Sequence, residues 1–347
     1  MRRSLVIGKF WPPHAGHFAL IEHAFSIADR VYVLVCSTPT AVPEGHRRAL
    51  WIQEAFPSAE VILTDDFCSW HASLPCPPRC TPLWADRTGE LIPDPIDYFV
   101  ASEDYGPDFA TAIGAKFVEF DRRRLSHPVS GTAVRIDPAG HWHDLPEQVR
   151  TGLVRKVTIF GAESTGTTTL ANNLAAALGV TCIPEVGRTV SWELMAEHGS
   201  MSAIEWTPDV FWRILDAQSS LEERARRTRS AGPFGEFGPW LVADTDALAT
   251  VTWWRRYVGE PPESLVKFAS ARLADLYVIT SPDDVPFEQD GIRDGEDVRF
   301  AMHGEFLESV VSTGKPHIVA TGTPEERLAA TLRKIQQTCA AQPLFSP

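Results

Sequence analysis

Apolar runs of strand length alternate with segments of helical spacing along the whole chain, and the rhythm starts twice. In the first half the runs at 5–8, 31–37, 60–64, 98–101 and 116–120 read as strands. Between the first two, Leu20, Ile21, Ala24, Phe25 and Ala28 recur at helical spacing and predict one buried stripe. In the second half strands are expected at 156–160, 180–183, 240–244, 275–280 and 317–320. Helices are expected there at 168–178, 185–198, 208–228, 247–258, 298–312 and 325–338. Strands alternating with helices predict parallel sheets covered on both faces, so the fold class is α/β. Two domains are expected, 1–150 and 151–347, the second on the plan of a P-loop kinase. Residues 65–97 break the rhythm with prolines, cysteines and tryptophans, and so long an insertion is expected to form a lid or a specificity wall. Residues 138–155 read as the junction, because Pro138, Gly140, Pro146 and Gly152 interrupt any regular pattern, and 232–239 reads as a loop.

Each half opens on a strand, a glycine-bearing loop and a helix start. The first loop is Gly8-Lys9-Phe10-Trp11-Pro12-Pro13-His14-Ala15-Gly16-His17; the second is Gly161-Ala162-Glu163-Ser164-Thr165-Gly166-Thr167-Thr168-Thr169. That arrangement aims backbone N–H groups and a helix dipole at phosphate. Two such sites suggest two nucleotide reactions, consecutive steps on one substrate.

In the first loop His14 and His17 lie three residues apart at a helix start, on one face, and can reach one anion. Imidazole N–H donors suit a phosphoryl group whose charge builds during transfer. Gly16 lets backbone approach closely, and Pro12-Pro13 stiffens the turn. Farther on, Ser130 and Thr132 are N-cap residue types that predict a helix start, with Arg135 one turn inside it.

The second loop has the spacing Gly161-x4-Gly166-x-Thr168, which puts the Thr168 hydroxyl where a Mg²⁺ ligand belongs. Thr167 stands where lysine is expected. Losing one such donor without compensation costs about 2.7–4 kcal/mol in the transition state, while backbone N–H groups from Glu163 to Thr169 can still hold a nucleotide. ATP binding with slow phosphate transfer and ATP binding without transfer both stay open. Asp244 ends an apolar strand and could hold Mg²⁺ or accept a hydroxyl proton, with Asp246 beside it. Glu185 and Arg188 could face the acceptor hydroxyl, and Asp290-Gly291-Ile292-Arg293 with Arg299 reads as a lid carrying arginines. A lid arginine, Arg293 before others, or Lys156 could stand in for the missing lysine.

Composition narrows the classes. A net charge of −13 over 347 residues argues against non-specific nucleic-acid binding. Without a signal-peptide core or a membrane-length apolar run, a cytoplasmic protein is expected. Six cysteines in a chain this long do not make a disulfide scaffold. Cys68, His71, Cys76 and Cys80 cluster, but their spacing fits no common zinc pattern, and unpaired thiols are the preferred reading.

The first loop and Ser130-Gly131-Thr132-x-x-Arg135 resemble the (H/T)xGH and ISTxxR signatures of the adenylyltransferases and related nucleotidyltransferases. The resemblance implies a Rossmann-like domain in which ATP lies across both loops and the substrate's own phosphate attacks the α-phosphorus, releasing pyrophosphate. His14, His17, Lys9 and Arg135 would then stabilise the transferring and leaving phosphates, with Gly8, Phe10, Gly16, Ser130, Gly131 and Thr132 in the nucleotide-binding set. The whole order resembles the NadR-type bifunctional family, an adenylyltransferase for nicotinamide mononucleotide followed by a ribosylnicotinamide kinase. Ser102-Glu103-Asp104-Tyr105-Gly106, Gly161-Ala162-Glu163-Ser164, Asp244-Thr245-Asp246 and the Asp290–Arg293 segment carry that likeness too. It implies ATP and Mg²⁺ as cofactors, and nicotinamide riboside and its mononucleotide as substrates. Trp84, Trp70 or Trp11 could stack the pyridinium ring. Met1 sits directly before the first strand, so no helix-turn-helix and no repressor role are expected. The competing readings are an adenylyltransferase with an ATP-sensing second domain, and a nucleotide-responsive regulator, for which the acidic chain offers no basic arm. Neither nucleic acid nor membrane is an expected partner; a homo-oligomer is open.

Overall fold

The structure is a computed structural model that describes residues 1–65, 80–283, 285–291, 293 and 295–346. It divides into two compact units, Met1–Leu153 with the tail from Pro343, and Val154–Gln342. The tail joins the first unit through a pair of bonds: Val42 N–H donates to Ser346 Oγ at 2.8 Å and Ser346 N–H to the Val42 carbonyl at 3.1 Å.

In the first unit the strands are β1 (Arg3–Gly8), β2 (Arg30–Ser37), β3 (Glu60–Asp65), β4 (Tyr98–Ala101) and β5 (Lys116–Glu119). They form one parallel sheet of order β3-β2-β1-β4-β5, with Val6 opposite Val33 and Leu5 opposite Phe99. The helices are α1 (Ala15–Ile27), α2 (Gly45–Ala55), α3 (Cys80–Leu91), α4 (Gly106–Ala112), α5 (Gly131–Ile136) and α6 (Glu147–Leu153). Alternate residues of β1 feed two cores, Val6 with Leu20, Ile21 and Ala24 of α1 on one face, Leu5 with Phe99 and Phe109 on the other. The order reverses between β1 and β4, which opens a crevice at their C-terminal ends.

Two segments depart from expectation. The stretch 138–155 is no bare junction, because Trp142 is fully buried and α6 buries Val149 and Leu153, while Arg47 of α2 donates to the Gly152 carbonyl. Apolar residues spaced four apart had too short a run there to show a period. Within 65–97, residues 80–91 are helix α3, and Trp84 packs against the Phe99 core. The candidates Cys68, His71, Cys76 and Trp70 lie outside the described residues, and Cys80 is buried at the start of α3.

In the second unit the strands are β6 (Arg155–Phe160), β7 (Cys182–Ile183), β8 (Trp240–Asp244), β9 (Leu276–Thr280) and β10 (His317–Ala320), in the parallel order β10-β9-β6-β8-β7. Their helices are α7 (Thr167–Leu178), α8 (Val186–His198), α9 (Pro208–Ala231), α10 (Ala247–Tyr257), α11 (Glu263–Ser270), α12 (Glu296–Ser312) and α13 (Pro324–Ala341). β6 lies at the centre, all but its first residue fully buried, and the phosphate loop leaves its end. Every strand and helix expected in this half is present, and α11 is additional.

A buried ion network ties this unit together. Lys156 Nζ, 2% exposed, lies 2.8 Å from Glu222 of α9 and 3.2 Å from Asp246, and donates to the Arg272 carbonyl at 2.8 Å. Asp246 also accepts from Thr158 at 3.1 Å and from the Tyr277 hydroxyl at 3.2 Å, and caps α10 through Leu248 N–H at 2.9 Å. This corrects two expectations. Lys156 points into the core and is spent on two carboxylates, and Asp246 turns back under the sheet rather than toward a substrate. Removing one partner of a buried pair leaves charge uncompensated, at about 3–5 kcal/mol. Lys156→Met is therefore expected to lower the stability of the second unit by about that much in urea denaturation. A change within ±0.5 kcal/mol would place the lysine in solvent.

Candidate functional sites

The first site forms where the loop after β1 meets the start of α5. Phe10, with φ +47°, is buried, and its ring stands edge-on to His17 at 5.0 Å. Arg48 of α2, itself buried, donates to the Lys9 carbonyl and to Ser37 Oγ at 2.7 Å, which pins the loop to the ends of β1 and β2. His14 N–H donates to His17 Nδ1 at 3.3 Å, and the two rings stack at 3.7 Å. The imidazole of His17 thus caps the helix as well as facing its partner. From α5, Arg135 donates to the Trp11 carbonyl at 2.8 Å and lies over the Trp11 ring at 4.3 Å. Ser130 Oγ accepts from Ala133 N–H at 3.1 Å. Gly131 is required by close approach, since a Cβ there would stand 2.7 Å from the Trp11 carbonyl oxygen. The structure therefore brings together Phe10, Trp11, His14, His17, Gly131 and Arg135. Lys9 is half-buried on the same loop.

Sequence reasoning missed Arg124 and His127. The Asp121 carboxylate accepts backbone N–H bonds from Leu125 (2.8 Å), Ser126 (3.2 Å) and His127 (3.0 Å), folding 121–127 into a tight loop with φ +39° at Asp121 and +51° at Arg124. His127 Cβ then lies 3.5 Å from where a Cβ on Gly16 would be. The signal was the run Arg122-Arg123-Arg124, conspicuous in an acidic chain. Burial, with the Arg124 charge behind it, pushes His14 down to about 4. Burial, then the neighbouring His14 and Arg124, holds His17 well below its usual value. Both rings are neutral at pH 7.

The second site is the loop between β6 and α7. Gly166 takes φ +84°, a conformation costly to other residues, and starts α7 with Thr167 first in the helix. Thr168 Oγ1 donates to Asp244 Oδ2 at 2.6 Å. Asp244 Oδ1 is buried with no hydrogen-bond partner among the described residues, and burial raises this carboxyl's pKa. Beside it, burial and then the Asp244 charge push Glu185 up to about 7, against the pull of Arg188 at 3.5 Å. Asp290 gathers Arg188 at 2.7 Å and Arg293 at 3.2 Å.

Arg299 differs from expectation. It sits on α12, 3% exposed, and donates to the carbonyls of Val285 (2.8 Å), Ser164 (3.0 Å) and Pro282 (3.1 Å). Those bonds make it a brace between the phosphate loop and 282–285, not a lid cation. Ser164 Oγ adds to the brace by accepting from Glu288 N–H at 2.8 Å.

A cavity of about 800 Å³ runs from the phosphate loop past Glu185, Arg188 and Arg293 to Trp206, Phe211, Trp253 and Tyr257. Tyr257 stacks on Trp206 at 5.0 Å and on Trp253 at 5.8 Å, with interplanar angles of 19° and 15°. The sequence hid these rings. Trp253 and Tyr257 stand four apart on α10, the spacing of ordinary core packing. Trp84, the expected ring-stacking residue, belongs to the core of the first unit instead, and Trp11 lies under Arg135.

Residues 156–327 match the family model of an AAA domain. Over 306 residues, 84% of this chain and 71% of the relative, it is 24% identical to the trifunctional NAD biosynthesis/regulator protein NadR of Escherichia coli K12. The NadR protein of Salmonella typhimurium LT2 matches to the same extent, 24% over 306 residues. Among solved structures, a NadR protein in complex with NR shares the fold with a TM-score of 0.65 at 20% identity, covering 97% of this chain and 96% of that one. A NadR protein in complex with NAD and AMP-PNP does so with a TM-score of 0.61 at 19% identity, covering 98% and 96%. The chain is thus similar to these NadR proteins in sequence over most of its length, and alike in fold over nearly all of it.

The buried histidines make the first unit sensitive to acid. An imidazole whose folded pKa lies below 6.5 contributes full stability above that pH, and loses it as pH falls toward about 4. The melting temperature of the first unit is expected to fall between pH 6.5 and 4.5, and His14→Gln should flatten that slope. A His14→Gln profile as steep as wild type would mean that the ring is already solvated in the fold.

Proposed function

We propose that this NadR homologue carries out two consecutive steps of NAD salvage: phosphorylation of nicotinamide riboside in the second unit, then adenylyl transfer to the resulting mononucleotide in the first. The observation that carries the reading is the cavity that joins a phosphate loop to a stack of parallel aromatic rings, with Glu185 between them and Asp244 bonded to Thr168 of the loop. Flat electron-rich faces at one end suit a cationic pyridinium ring, and the loop at the other suits a nucleoside triphosphate. Support also comes from the likeness to NadR proteins solved with NR and with NAD and AMP-PNP.

In the second unit the riboside hydroxyl attacks the γ-phosphorus of ATP; its proton passes to Glu185 and ADP leaves. A carboxylate with a pKa near 7 is matched to that task at neutral pH. Arg188 and Arg293 would exchange Asp290 for the transferring phosphate. The unpartnered Asp244 oxygen and the Thr168 hydroxyl fit a Mg²⁺ ion, which would neutralise charge on the β- and γ-phosphates. Glu163, Ser164, Thr165, Gly166, Thr167, Thr168 and Thr169 would cradle the nucleotide from Gly161 onward.

In the first unit a phosphate oxygen of the mononucleotide attacks the α-phosphorus of ATP, and pyrophosphate leaves. No protein nucleophile is involved. His14 and His17 act as neutral donors, and Lys9, Arg124 and Arg135 supply cations to the phosphates. Gly8, Gly16, Ser130, Gly131 and Thr132 let ATP approach the backbone. Domains corresponding to 1–150 and 151–347 would each hold one reaction. Thr167 favours a second reading, in which the second unit binds ATP without transferring phosphate.

Product analysis decides between these. With ATP, Mg²⁺ and the mononucleotide, the chain is expected to form NAD and pyrophosphate, and His17→Ala to lower that rate by roughly two orders of magnitude. Turnover unchanged in His17→Ala would remove the loop from the chemistry. With the riboside instead, the mononucleotide should accumulate first; ATP binding without it would leave the sensor reading. Glu185→Gln is expected to lower kcat for that step by roughly 10²–10⁴ while KM for the riboside stays near wild type. Wild-type kcat should climb with pH through about 7, as a base must be deprotonated, and the variant should lose that limb. A variant that retains the limb would assign it to another group.

A further inference from the structure

Three arginines line the cavity of the second unit: Arg188, Arg293 and Arg327. The first two share the Asp290 carboxylate. Arg327 is different in place and partners. It stands on the first turn of α13, whose start is fixed by a reciprocal cap: Thr323 N–H donates to Glu326 Oε2 at 2.8 Å and Glu326 N–H to Thr323 Oγ1 at 3.3 Å. Its guanidinium, 4% exposed, forks onto three carbonyls: Thr165 at 2.6 Å, Gly322 at 2.9 Å and Ser281 at 3.1 Å. Thr165 belongs to the phosphate loop. Arg327 Nη1 also comes within 3.8 Å of where a Cβ on Gly166 would stand.

We infer that Arg327 is the fixed cation of this phosphate loop, a positioning residue that does from behind what the residue at Thr167 cannot do from within. In a trans peptide the carbonyl and the following N–H point in opposite directions. Holding the Thr165 carbonyl therefore sets the direction of the Gly166 N–H, one of the donors a polyphosphate meets. The same contact places a permanent positive charge, which cannot be titrated away, against the loop. A lysine at 167 would reach the phosphates on a flexible stem; Arg327 is held in the wall by three bonds before any nucleotide arrives. The inference rests on the reading of the second unit as a nucleotide site, and extends it to which residue makes the loop receptive.

Hydrogen-exchange mass spectrometry on the full chain tests it locally, because peptides spanning 161–170 report this loop alone. Tripolyphosphate and ADP with Mg²⁺ are expected to protect those amides in wild type. In Arg327→Met the half-protecting concentration of both should rise at least tenfold, and Thr167→Lys added to that variant should bring it back to within threefold. Arg327→Lys, which keeps the charge and can still donate to the Thr165 carbonyl while losing the other two bonds, covers the case in which the methionine variant does not fold and should stay within threefold of wild type. A shift below twofold in Arg327→Met overturns the inference. So does equal loss in the lysine and methionine variants, or failure of Thr167→Lys to restore binding, since either makes Arg327 scaffold only. Absence of protection in wild type would instead sink the nucleotide reading on which the inference stands.

Discussion

Both units are organised around one constraint: the polyphosphate proposed for each must be met by backbone N–H groups that no other carbonyl has claimed. The place that satisfies it is the C-terminal end of a central parallel strand, where the chain turns through a loop into a helix start. β1 and β6 occupy that position in their sheets, each flanked by strands on both sides. Much of the surrounding structure serves to hold the two loops open. Arg48 clamps the Lys9 carbonyl in the first unit, and Arg299 and Arg327 clamp Ser164 and Thr165 carbonyls in the second. In each case a guanidinium engages a loop carbonyl, which in the proposed reading leaves the neighbouring N–H groups for the ligand.

Buried charge divides the second unit into two layers. Below the sheet, Lys156 neutralises Glu222 and Asp246, and the group is saturated by Thr158, Tyr277 and the Arg272 carbonyl. Above it, Asp244 is buried and Glu185 half-buried with less compensation, and both carboxyl pKa values rise. Carboxylates two residues apart, Asp244 and Asp246, thus have opposite fates. One is held as part of the scaffold; the other is left with an oxygen that has no partner among the described residues. Under-compensated charge beside a cavity is the signature expected of a site rather than of a scaffold.

Much of this was legible in the sequence because it rests on local pattern. Strand positions follow from apolar runs, and the two loops from glycines, histidines and threonines between a strand and a helix start. The reading failed where side-chain direction decides. Asp246, Lys156 and Arg299 have the composition of a phosphate site, but all three are spent inside the fold, and periodicity does not report which way a charged residue past a strand end will turn. It failed also where the site is assembled from distant elements. Trp253 and Tyr257 stack within α10, but Trp206 precedes α9, and only tertiary packing brings its ring onto Tyr257. Arg327 looked like one more basic residue on a terminal helix, because its partners lie up to 162 positions away.

The electrostatics of the two sites differ in a way that matches the two proposed reactions. The first gathers imidazoles and arginines: His14 and His17 are kept neutral by burial and by Arg124, with Arg135 alongside. The nucleophile proposed there is a phosphate oxygen, already an anion, for which donors and cations are sufficient and a base would have nothing to remove. The second joins arginines to a buried carboxyl, Asp244, and a half-buried one, Glu185, which is pushed up to about 7. The nucleophile proposed there is a neutral hydroxyl, which becomes effective only as its proton is taken. A carboxylate at its usual pKa would be too weak a base for that proton, and desolvation beside Asp244 is what strengthens Glu185. In the proposed reactions, the desolvation that costs the second unit stability is the feature its hydroxyl chemistry would require, whereas in the first unit desolvation keeps two bases from becoming acids.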